Sequence, residues 1–129
     1  MRGGAVTGLQ LFVRVAGLVM VTLGVLFWTG NALALVPVHM LIGLLVVLAL
    51  WTLAALAGAA GVRPALVALA FAWGLLVPVL GVTQERLLPG AGHWVVQVLH
   101  LLVGLLAIAQ AEYLARQIRR RRKLARQAA

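Results

Sequence analysis

Apolar residues run along the chain in four stretches, about 9–28, 37–57, 65–82 and 91–115, separated by short clusters of turn-forming residues. Each stretch is near the ~20 residues that a helix needs to cross ~30 Å of hydrocarbon, so four membrane passes are predicted. Pro37 and Pro64 stand where the second and third helices begin, and a proline is tolerated there because the first-turn N–H has no helical partner anyway. Pro78 falls inside the third stretch and is expected to kink it. The link around Thr29, Gly30 and Asn31 is too short to let the second helix do anything but return beside the first. The pattern therefore predicts an all-α, integral membrane four-helix bundle made of two tandem helical hairpins.

Within the fourth stretch the polar and small residues are not scattered. At the helical period His93, Gln97, His100, Gly104, Ala107 and Ala111 share one stripe, and nearly everything between them is Val, Leu or Ile. The second stretch repeats part of the pattern. The segment from His39 through Gly43 to Leu45 aligns without a gap on the segment from His100 through Gly104 to Leu106. Two helices thus carry a histidine with a glycine one turn beyond it. A duplicated hairpin implies a pseudo-two-fold axis along the membrane normal, which sets His39 and His100 at equal depth on opposite sides of the bundle.

Composition supports the membrane assignment and removes several kinds of chemistry. Of 129 residues 64% are hydrophobic and 10% charged, too little polar surface for a soluble domain of this size. Cysteine is absent, which excludes disulfides, iron–sulfur clusters and thiolate ligands, and no covalent haem attachment motif can exist. The formal charge of +9 suggests nucleic acid until the basic residues are located. Seven of the eleven lie between Arg116 and Arg126, directly after the last apolar stretch, where they suit anchoring on anionic lipid. No folded recognition element accompanies them, so nucleic-acid binding is set aside.

Arg2, Arg14, Arg63 and the terminal basic run all fall on one side of the bundle, against Arg86 beside Glu85 on the other. The positive-inside rule then makes both termini cytoplasmic, in an inner membrane of bacterial type. Residues 1–115 form the transmembrane domain and 116–129 a basic cytoplasmic tail. Arg14 is expected to snorkel toward the headgroups. Ala32, Leu33 and Ala34 resemble a signal-peptidase site after an apolar run. The Gly17 and Gly24 spacing of a packed helix favours a retained first segment instead.

An ionisable side chain in hydrocarbon points to function by default, although a single histidine there more often just bonds a neighbouring backbone. Two histidines, each with its glycine, favour ligation. Zinc calls for four ligands, or three and a water, and no carboxylate or thiolate is placed to complete such a set. A haem iron requires only two axial ligands, so His39 and His100 are the candidate metal ligands for one non-covalent haem b. Gly43 and Gly104, with Gly24, Gly74 and Gly81 on other faces, would let a flat macrocycle lie against backbone. His93, Arg86 or Gln84 could bond the propionates at the outer face. His93 is also an alternative axial ligand, since it shares the His100 face.

On these residues the chain resembles the small four-helix membrane b-type cytochromes, and its layout is similar to one half of haem A synthase. The likeness covers about residues 9–113 and rests on His39 with Gly43 and His100 with Gly104. It implies haem b and electron transfer, including with quinol; the placement of the histidines toward the outer end adds the expectation of exchange at the outer side of the membrane. The eight-helix body and catalytic acidic residue of haem A synthase have no counterpart here.

Two other classes compete. Small dimeric drug exporters match in size, but they need a membrane-embedded carboxylate, and Glu85 in a loop and Glu112 at the inner boundary are not so placed. A haem-free subunit or assembly factor of a larger membrane complex, or a homo-oligomer, would show the same glycine-rich faces. The lipid bilayer is the one partner common to every reading.

Overall fold

The structure, a computed structural model, describes residues 2–128. Four helices carry the chain: α1 (Arg2–Trp28), α2 (Val36–Ala59), α3 (Pro64–Thr83) and α4 (His93–Gln127). Short 3₁₀ turns at Leu33–Leu35 and Gln84–Arg86 fill the two loops at the end away from the termini. All four helices are long and apolar enough to span a membrane, and leucines such as Leu11, Leu18, Leu41 and Leu75 point outward on every face. This is the surface expected of a bundle solvated by lipid.

Glycine ends the first two helices in the same way. Gly30 and Gly61 both have φ of +76°, a left-handed conformation that costs a residue without Cβ little. At α2 the Val62 N–H bonds the Ala57 carbonyl at 3.0 Å and the Gly61 N–H bonds Gly58, the paired bonds of a Schellman stop. Pro64 then starts α3 at its first turn.

α1 and α3 each pack against both α2 and α4 but, among the described residues, not against each other. α2 and α4 also pack together, so they form the short diagonal of the bundle. That arrangement is what a pseudo-two-fold between the hairpins would produce. Both helices bring small residues into the core: Ala49, Ala54 and Ala57 on α2 and Ala107, Ala111 and Ala115 on α4 are all buried in one cluster with Leu50, Leu53, Leu114 and Ile118. Lipid removes most of the hydrophobic drive for helix association, so close approach of small side chains has to supply it through dispersion. The cluster lies in the half of the bundle that carries the termini. Toward the other end only Leu80, Val96 and Val103 form a second, smaller group.

Two indoles tie α3 in place. Trp73 Nε1 donates to the Val103 carbonyl of α4 at 2.9 Å, and Trp51 Nε1 of α2 donates to the Phe71 carbonyl at 3.2 Å. Trp51 lies directly over Gly74, where a Cβ would collide with the indole ring. α3 continues through Pro78 as helix to Thr83.

Charged groups near the termini are paired across α1 and α4. The Arg14 guanidinium donates twice to the Glu112 carboxylate, at 2.7 and 2.9 Å, and Gln10 Nε2 donates to the same carboxylate at 2.5 Å. Arg119 in turn donates to the side-chain oxygen of the buried Gln10. The Arg14 side chain is largely exposed, as snorkelling requires, yet it is held in an ion pair that the linear spacing did not suggest.

Helix limits differ from the sequence pattern at both termini. α1 begins at Arg2 instead of about residue 9, and α4 runs on to Gln127, so the basic stretch 116–127 is helix continuous with the last apolar segment. The hydrophobic stretch marks where lipid begins, whereas the helix ends only where its propensity fails. Residues 116–127 contain no Gly or Pro and are mostly Arg, Lys, Leu, Ala and Gln, all strong helix formers. α4 starts at His93 because Ala91 and Gly92 are used in the turn before it.

The alanine seam gives the first prediction. Ala111→Leu forces a larger side chain into the α2–α4 contact and should destabilise the bundle by about 1–3 kcal/mol. Leu102→Ala, on the half-exposed lipid face, should change it by less than about 0.5 kcal/mol. Thermal unfolding in detergent followed by circular dichroism measures both, and equal midpoints for the two variants would mean that the seam does not hold the helices.

Candidate functional site

Where the alanine seam stops, α2 and α4 enclose space. A cavity of about 530 Å³ runs from the Gln84 and Glu85 loop down to Ile108 and is walled by all four helices. Along α4 its lining residues extend from His93 to Ile108, about 22 Å at 1.5 Å per residue. Small-molecule and cofactor sites usually fall between about 300 and 1,000 Å³.

His39 enters this space from the first turn of α2 and His100 from the third turn of α4. Their ring centroids are 6.5 Å apart, with the ring planes at 47°. The two helices adjoin, so the histidines face each other across the α2–α4 diagonal instead of lying on opposite sides of the bundle. Phe27 of α1 packs edge-on against His39 with centroids 5.3 Å apart and restricts that ring. Gly81 of α3 permits the approach of His100, since a Cβ there would stand 3.3 Å from its Cε1. Neither Nδ1 atom has a hydrogen-bond partner although both are buried. A buried polar atom without a partner costs roughly 1–3 kcal/mol, so its persistence calls for an explanation outside packing.

The glycines named with the histidines have different surroundings. Gly24 and Gly104 both line the cavity, and a Cβ on either would meet nothing within 4 Å. Gly43 also lines it, but the Met20 methyl lies 3.0 Å from where its Cβ would be, so α1 already occupies that side of α2. Gly74 does not belong to this site. It was expected to make room for a ligand, and it receives the Trp51 indole instead.

His93 and Gln97 line the upper part of the same cavity, as the helical stripe predicted. His93 Nδ1 is 3.2 Å from the Leu87 carbonyl, a contact that ties the start of α4 to the preceding loop. Gln84 and Glu85 reach the cavity wall, while Arg86, the last residue of the 3₁₀ turn, is not among its lining residues. Among the described residues no group of three or more His, Asp or Glu is placed to hold a metal ion.

Sequence spacing missed Met20 and Phe27. Both sit on α1 among many other apolar residues, and only the packing of α1 beside His39 distinguishes them. The Gln10–Glu112 pairing was equally hidden, although Glu112 is the one acid on that side of the chain and nine arginines had to compete for it. The chain matches no known family model, curated protein or solved structure.

Because His100 makes no hydrogen bond among the described residues, it contributes no polar stabilisation to the ligand-free bundle. His100→Leu should leave the thermal midpoint of the ligand-free protein unchanged or raise it, since the variant removes an unsatisfied buried nitrogen. A midpoint that falls by as much as for Ala111→Leu would show that the imidazole holds the helices together.

Proposed function

We propose that the protein is a membrane b-type cytochrome that holds one non-covalent haem between His39 and His100. The observation that carries this reading is the 6.5 Å separation of two partnerless imidazoles in the wall of a 530 Å³ cavity. Two imidazoles on opposite sides of one metal, bonded at about 2.0 Å each, have their centroids about 6.3 Å apart. A bare ion would lack ligands at such a pair, whereas a porphyrin brings four nitrogens of its own. The residues present fit that group. Gly24 and Gly104 leave backbone uncovered on two sides, Phe27 and Gly81 fix the two rings, and His93 and Gln84 offer hydrogen bonds to carboxylates at the loop end.

When bound, the haem supplies a one-electron couple, and the protein supplies its ligands and a medium of low dielectric. The cavity occupies the half of the bundle away from the termini. By the positive-inside rule that is the outer half, with both termini cytoplasmic in an inner membrane of bacterial type. Among the described residues the opposite half holds no histidine, and its one acid, Glu112, is bonded by Arg14 and Gln10. Electron exchange is therefore assigned to an outer-face partner or to quinol within the membrane, not to passage across the whole bilayer by one chain.

Protein purified in detergent from a haem-replete host should carry about one b-type haem per chain by pyridine haemochrome assay. His39→Ala and His100→Ala should each lose the low-spin spectrum, His93→Ala should keep it with a shifted midpoint potential, and Gly104→Leu should exclude haem from a folded bundle. Less than about a tenth of an equivalent, with no Soret band after hemin is added, would replace this reading with a haem-free packing subunit. If His93→Ala alone removes the spectrum, the axial pair is His39 with His93.

Proteoliposomes test the direction of transfer. With ferricyanide trapped inside and an impermeant reductant outside, vesicles containing only this chain should reduce the trapped oxidant no faster than empty vesicles. Adding a membrane-soluble quinone should raise the rate, and rapid reduction without it would require further haems.

A further inference from the structure

A second concave surface lies on the outside of the other half of the bundle. Leu66 and Leu69 of α3 and Leu106 of α4 wall a groove of about 350 Å³, and Gln110, Tyr113 and Arg116 line it along α4. These three follow one another at intervals of three residues, so each stands about 4.5 Å further toward the termini. The order along the helix is amide, phenol, guanidinium, with leucine beyond the amide. Gln110 Oε1 is buried without a hydrogen-bond partner, which lipid-facing packing does not explain. Glu112, the only acid nearby, is already bonded by Arg14 and Gln10, and Arg116 stays 4.0 Å from it with a largely exposed side chain.

A groove that passes from hydrocarbon through neutral hydrogen-bonding groups to a cation has the polarity profile of a phospholipid. We propose that it holds one anionic glycerophospholipid. The phosphate lies at Arg116, the ester groups at Tyr113 and Gln110, and an acyl chain against Leu66, Leu69 and Leu106. Charge complementarity selects an anionic lipid, because Arg116 opens a basic run that continues through Arg119 to Lys123. The ester offers acceptors only, so the Gln110 amide turns its Nε2 toward it and donates, a half-turn that exchanges its oxygen and nitrogen. The site is separate from the histidine cavity and independent of any haem.

Native mass spectrometry of the full chain in detergent, titrated with dioleoylphosphatidylglycerol or dioleoylphosphatidylcholine, tests the assignment. One phosphatidylglycerol should be retained in preference to phosphatidylcholine. Arg116→Gln and Gln110→Leu should each weaken retention about fivefold, while Arg126→Gln, with the same charge change outside the groove, should weaken it less than about twofold. Leu69→Trp fills the groove at a half-exposed position without altering a polar group, and it should reduce retention as much as Gln110→Leu. This variant decides the matter if Gln110→Leu fails to fold. Equal retention of the two lipids, an Arg126→Gln effect as large as that of Arg116→Gln, or no effect of Leu69→Trp would each overturn the proposal.

Discussion

The burial of six alanines of α2 and α4 in one cluster with residues of α1 and α3 is the packing on which the rest of the bundle depends. In lipid an apolar side chain gains little by leaving its surroundings, so helices hold together only where backbones come near enough for dense packing. Alanine at each of these positions allows that approach in the half carrying the termini. Past Ala107 and Ala49 the facing positions become glycine, histidine and glutamine, and the same two helices enclose a cavity instead of a seam.

Hydrogen bonding separates the polar residues into two groups. Trp51, Trp73, Gln10, Arg14 and Glu112 all have partners, and each links one helix to another. His39, His100 and Gln110 keep buried polar atoms without partners. Since hydrocarbon offers no water to complete such groups, the first set accounts for architecture and the second marks where the bundle has surface suited to something else.

Periodicity made the interior of α4 legible before any coordinates. The stripe from His93 to Ala111 faces inward over its whole length, and the His39–His100 correspondence named the two imidazoles that the fold brings together. Helix count and the three turns were equally plain, because Gly30, Gly61, Pro37 and Pro64 act locally. What could not be read depends on which helix lies beside which. Gly74 and Gly104 look alike in sequence, yet one receives an indole and the other faces open space. Arg14 and Glu112 are 98 residues apart, and no local rule joins them. The ends of α1 and α4 were misjudged for a different reason, since hydropathy reports the width of the membrane and not the reach of a helix.

Concentrating the packing in one half also separates assembly from loading. Apart from Ala107, which also borders the cavity, the residues of the main cluster, from Val6 and Val13 to Ile118, do not line it. Assembly of the helices and filling of the cavity then have different requirements. The seam answers to side-chain volume, and the opposite half answers to the shape and charge of whatever enters it.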